Sequence, residues 1–153
     1  MYLKAKSQEN ACAAQCLLEE RALFAPSVHC SYYSTYQLVR HILNRVYNMP
    51  YETQHYTTSS GGQVAGHKFV IDELCRRFDA DTDMSPSAIL HKKKSFVRLL
   101  KCRIKADYEN NEISKEEAVM AHELSESLNN FLKAQYLNDQ PDESNEKYSK
   151  LDG

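Results

Sequence analysis

The chain has no tryptophan and only four glycines and four prolines in 153 residues. So few turn formers exclude a turn-rich β architecture and leave room for long helices. No window alternates apolar and polar residues in the manner of a half-buried strand, and no segment repeats. No apolar run approaches the roughly 20 residues needed to cross a bilayer, and none near the N-terminus has the form of a secretory leader. The five cysteines (Cys12, Cys16, Cys30, Cys75, Cys102) include no Cys-x-x-Cys pair. Reduced thiols serving as small core residues in a cytoplasmic protein are therefore expected. The six histidines show no His-Glu-x-x-His or other ligand spacing, so neither a structural metal nor a cofactor is expected.

What is present fits one globular domain with a real core. Hydrophobic residues make up 42% and charged residues 26%, and ten residues are tyrosine. The net charge of −2 is unevenly spread. Residues 138–153 carry five acids and two lysines, hence −3, which leaves +1 for the remainder. The expected division is a helical domain over residues 1–137 and an acidic, disordered tail over 138–153.

Apolar periodicity predicts an antiparallel up-and-down bundle of four to five helices. Ser7 can cap a first helix from about Gln8 to Phe24, with Ala11, Ala14, Leu17, Leu18 and Ala22 inward. Pro26 and Ser27 then punctuate. The segment "SVHCSYYSTYQLVRHILNRVYN" reads as a second helix that is apolar round much of its circumference, and so central. Met49 to Gln63 reads as a loop longer than a compact domain normally needs, hence mobile or functional. A third helix over about Val64 to Phe78 turns Phe69, Val70, Leu74 and Phe78 inward. Ser85 and Pro86 start a fourth that reaches about Tyr108. Ser114 and Glu117 form a capping box for a fifth, which fades near Asn138.

The fourth helix carries the most pointed signal. At about 100° per residue, Arg103 and Asp107 each lie about 20° from Phe96, within the apolar stripe. A guanidinium there needs a partner to offset desolvation, and Asp107 stands one turn away. One reading is an ion pair that closes the bundle. The other is a polar cleft in which the planar, always-charged fork of Arg103 meets a phosphate.

Lys94, Arg98, Lys101 and Lys105 mark the opposite face. From His91 to Lys105 there are seven lysines or arginines and no acid. Such a run reads either as a solvated face or, being of one sign, as a surface for a polyanion such as nucleic acid. Another candidate for it is the acidic tail of this chain or of a partner.

"SYYSTYQLVRHIL", "GHKFVIDEL" and above all "CRIKADYENNEISKEEA" give the chain, over roughly residues 8–137, a resemblance to the HEPN family, the higher eukaryotes and prokaryotes nucleotide-binding domains. The last segment is similar to that family's Arg-x-x-Ala-Asp-Tyr stretch, turn and capped final helix. The resemblance implies an antiparallel helical bundle, often a homodimer with a cleft at the subunit interface. It also implies either a nucleotidyltransferase partner or metal-independent ribonuclease activity. The ribonuclease members use Arg-x(4–6)-His. Arg103 aligns with that arginine, but the histidine positions hold Tyr108, Glu109 and Asn110. Tyrosine, with an ordinary pKa of about 10, is a poor general base at neutral pH, although it can donate a hydrogen bond to phosphate. His67 can substitute from a neighbouring position, or else cap and pack.

The expected function is therefore a non-catalytic dimeric module that binds a nucleotide, nucleic acid or a partner protein, with Arg103, Asp107, Tyr108 and His67 at the phosphate. The alternative is a toxin-like ribonuclease in which Arg103 acts with Tyr108.

Overall fold

A computed structural model describes residues 2–55, 62–81 and 84–137. The side chains of 55, 62–65, 79 and 81 lie outside that description, as do the expected tail and residues 56–61 of the expected loop. The described elements are α1 (Leu3–Glu19), α2 (Phe24–Arg45), a one-turn 3-10 segment (Thr53–His55), α3 (Gly62–Asp81), α4 (Pro86–Tyr108) and α5 (Lys115–Tyr136). No strand occurs among them, so the fold is the all-α bundle that the periodicity predicts.

The caps of α4 and α5 form as the sequence predicts. Ser85 accepts a hydrogen bond from the Ala88 amide ahead of Pro86. Ser114 accepts one from the Glu117 amide, while the Glu117 carboxylate accepts one from the Ser114 amide. The first helix is a correction. It begins at Leu3 with no side-chain cap, and Ser7 is buried within it. It ends at Glu19 because Ala22, at φ 51°, reverses the chain and lets the Leu23 amide donate to the Leu17 carbonyl. Pro26 does not punctuate. It lies in the first turn of α2, where an amide has no intrahelical acceptor to lose. Asn48 (φ 52°) ends α2 by the same device, with the Met49 amide bonded to the Leu43 carbonyl. Asparagine is one of the few side chains that tolerate this left-handed backbone.

α2 is central, as expected, and packs against each of the other four helices. Leu38, Val39, Ile42 and Leu43 fill the middle. Its seam with α5 is made of small polar side chains that allow close approach. There the Ser125 hydroxyl bonds to the Ser31 carbonyl, Thr35 meets Ser125, and the Asn129 amide donates to Ser34.

The strict alternation of up and down is broken once. Tyr32 and Tyr36 lie beside His67, and Tyr47 lies beside Arg77, so α2 and α3 run in the same direction. Consecutive helices that run the same way cannot be joined by a short turn, and this is why the connection is long. Gln54, 1% exposed, fixes the return to α2. Its side chain accepts from Arg40 Nε and donates to the Arg40 and Met49 carbonyls.

Tyr32 and Tyr36 of α2 are buried inside the chain. One further expectation is corrected. The cysteines are not a core set. Only Cys75 is buried, Cys12 is exposed, and the other three are intermediate.

Candidate functional site

At one end of the bundle, the first turns of α2, the start of α3 and the last turns of α4 bring a polar cluster together. Arg103 is drawn inward by its place on the apolar stripe of α4 and is 2% exposed. Its Nε stands 2.8 Å from Asp107 Oδ2, an ion-pair contact rather than an aligned hydrogen bond. Its Nη2 donates to the hydroxyls of Tyr33 (3.2 Å) and Tyr108 (3.0 Å). The rings of Tyr108, Tyr33 and Tyr32 surround the guanidinium carbon at 4.8, 5.7 and 5.8 Å. Nη1 is buried and has no hydrogen-bond partner.

Burial works against the charge of Arg103, but Tyr33, Asp107 and Tyr108 outweigh it and raise its pKa above the ordinary arginine value. The guanidinium is therefore a fixed buried cation. Burial likewise pushes up the phenol of Tyr32, with Tyr36 adding to the effect, so that hydroxyl stays protonated.

Asp107 is shared. Its two carboxylate oxygens each lie 3.0 Å from Nδ1 of His29 on α2. That ring is tilted against Tyr33, with centroids 4.6 Å apart. The side chain of His29 is 45% exposed, and its Nε2 carries no contact among the described residues. Tyr108, at 56% exposure, roofs Arg103 from outside.

His67 joins the cluster from α3. Its Nδ1 is 3.0 Å from the Tyr32 hydroxyl, and its ring stacks on Tyr36 at 4.3 Å. It reaches Arg103 only through the tyrosine layer. Arg103, Asp107, Tyr108 and His67 are thus brought to one end of the fold, three in contact and His67 behind. His29 and the hydroxyl of Tyr33 were not singled out from the sequence. Their signal was the spacing of His29, Tyr33 and Tyr36 along one face of α2. What they would meet on α4 was not readable.

The basic residues separate. Lys94, Arg98 and Lys101 are exposed on the outer face of α4, as the wheel predicts. With Lys93, Leu90 and Val97 they line a shallow depression of about 440 Å³. Lys105 is not part of it. Its ammonium pairs with Glu117 at the start of α5, which raises the lysine pKa and lowers that of the acid. Among the described residues no three histidine, cysteine or acidic side chains converge as a metal site would need, and no helix is long and apolar enough to cross a membrane.

The fold and the cluster define an all-α bundle with a buried arginine–aspartate–tyrosine centre opening on a half-exposed histidine. No family model, curated protein or solved structure matches the chain.

Proposed function

We propose that the chain is a non-catalytic, HEPN-like helical module that binds a phosphate-bearing ligand, a nucleotide or RNA, beside Arg103. One observation carries the reading. A fully buried guanidinium keeps Nη1 without a hydrogen-bond partner, beneath a rim made by the exposed Tyr108 and the half-exposed His29. A buried donor left unsatisfied costs about 1–3 kcal/mol, more when charged, so a site that retains one is poised for an incoming acceptor. Phosphate oxygens match the fork geometry of arginine, and the Tyr33 and Tyr108 hydroxyls and His29 supply further hydrogen-bonding groups. Movement of Tyr108 opens the route to Arg103. A homodimer formed through the Tyr108–His29 face, with a nucleotidyltransferase as partner protein, follows from the resemblance and belongs to the same reading.

The His29–Asp107 pair favours a second reading, a metal-independent ribonuclease in which His29 supplies the histidine missing beyond Arg103. The carboxylate fixes Nδ1 and leaves Nε2 for proton transfer. One experiment separates the two. Purified protein is mixed with labelled single-stranded RNA and with nucleoside triphosphates in EDTA, and both retention and cleavage are read. Retention of intact ligand, weakened in Tyr108→Phe, supports the binding module. Cleavage that disappears in His29→Ala supports the ribonuclease. Neither retention nor cleavage contradicts both.

A further inference from the structure

Leu90 and Val97 are 52% and 45% exposed. They stand seven residues apart on α4 and so share one face of it. Lys93, Lys94, Arg98 and Lys101 frame them around the shallow depression. α4 contains no acid before Asp107. Two aliphatic side chains framed by four basic ones fit a segment that carries several carboxylates and an apolar residue.

Such a segment follows α5 in the sequence. The Lys92 ammonium lies 5.0 Å from the centroid of the Phe131 ring, so the end of α5 runs beside the start of α4. Lys92 lies about 160° round α4 from Leu90, so the way to the outer face runs round the helix. Beyond α5 the chain reads Asp139, Asp142, Glu143 and Glu146 with no base before Lys147, and then Tyr148. From Leu137, eleven extended residues span about 36 Å at about 3.3 Å each. Leu90 to Lys101 covers only about 17 Å at about 1.5 Å per residue. The reach is ample.

We propose that residues 139–148 of the same chain dock on the outer face of α4, their carboxylates against Lys94, Arg98 and Lys101 and Tyr148 over Leu90 and Val97. Each exposed pair is weak by itself. Tethering makes the contact intramolecular, at an effective concentration on the order of millimolar, which is enough to hold a weak association. Its electrostatic part is screened over about 10 Å at 0.1 M salt, so the docking is salt-labile. An added polyanion has to displace it. The inference does not depend on the phosphate reading of Arg103, which faces the opposite side of α4.

The test is amide NMR on the full-length chain, comparing wild type with a variant neutralised at Asp139→Asn, Asp142→Asn, Glu143→Gln and Glu146→Gln. At about 50 mM salt the amide signals of Leu90, Lys94, Val97, Arg98 and Lys101 are expected to differ between the two. Raising the salt to about 0.5 M moves the wild-type signals toward the variant's and leaves the variant's in place. Lys94→Gln, Arg98→Gln and Lys101→Gln together free the signals of residues 139–148. Identical α4 signals in wild type and neutralised variant overturn the proposal. So do differences that scale with protein concentration, which assign the face to a second copy, and α4 shifts that appear only when RNA is added, which assign it to nucleic acid.

Discussion

His29 Nδ1 lies 3.0 Å from both carboxylate oxygens of Asp107, across 78 residues of chain. Asp107 therefore answers to two partners, Arg103 one turn back on its own helix and His29 on the helix opposite. Arg103 has no second carboxylate among the described residues. The two sides of the ion pair are thus not equivalent.

Breaking a buried pair costs about 3–5 kcal/mol, because the surviving charge stays desolvated. Arg103→Ala leaves Asp107 with His29 and falls at the lower end, about 3 kcal/mol. Asp107→Ala leaves Arg103 with tyrosine hydroxyls only and falls at the upper end, about 5 kcal/mol. Urea melts of the two variants check the order. The reverse order contradicts this arrangement of partners.

Gln54 fixes the chain that returns from α2 to α3. Gln54→Ala removes three hydrogen bonds from a buried position and leaves the Arg40 and Met49 carbonyls with one donor fewer. A loss of about 1–3 kcal/mol is expected, since the hydrogen bonds are lost from a buried position. Hydrogen exchange is expected to quicken in residues 49–55 while α4 and α5 stay protected. Uniform quickening over all helices counts against a local role.

At the start of α5, Ser114→Ala is expected to cost about 1 kcal/mol, the usual worth of an N-cap. Glu117 adds a pH dependence. The Lys105 hydrogen bond, then the Ser114 amide, holds its carboxyl below the ordinary value of 4.5. A depressed folded-state pKa stabilises above the unfolded value, and that gain is lost as pH falls through the folded one. Melts from pH 7 to pH 3 are expected to show Glu117→Gln losing less on acidification than wild type. Equal losses contradict the assignment.

The thiols are expected to react in an order set by exposure and ionisation. Cys12 is exposed and Cys75 buried. Burial pushes the thiols of Cys30 and Cys102 up, which lowers their thiolate fraction at neutral pH. Timed alkylation read by peptide mass spectrometry should modify Cys12 ahead of Cys30 and Cys102, with Cys75 last. Early labelling of Cys75 contradicts the packing of α3.

What could be read from the sequence was what depends on neighbours along the chain. Ser85 with Pro86, and Ser114 with Glu117, announce α4 and α5 because a cap and its acceptor lie within one turn. The inward turn of Arg103 and its pairing with Asp107 follow from helical spacing alone. The start of α1 has no side-chain cap to announce it, and Ser7 offered a false one. Ala22 gives no hint of its left-handed backbone. The crossover pinned by Gln54, the diversion of Lys105 to Glu117, the Tyr33 and Tyr32 shell of Arg103 and the arrival of His29 at Asp107 all join distant segments. Only packing reveals them.

The central claim is that Arg103 holds a phosphate-bearing ligand as well as closing the bundle. Arg103→Lys tests it most directly, because the charge beside Asp107 is kept while the planar fork is lost. A melt and a titration with labelled RNA and nucleoside triphosphates are made on the same preparation. The expected result is a folded protein whose binding is weaker by roughly 1.5–3 kcal/mol, about 10- to 150-fold, the worth of a charge-assisted hydrogen bond. A folded Arg103→Lys protein that binds as tightly as wild type, or a wild type that binds none of these ligands, contradicts the claim and leaves Arg103 a structural residue.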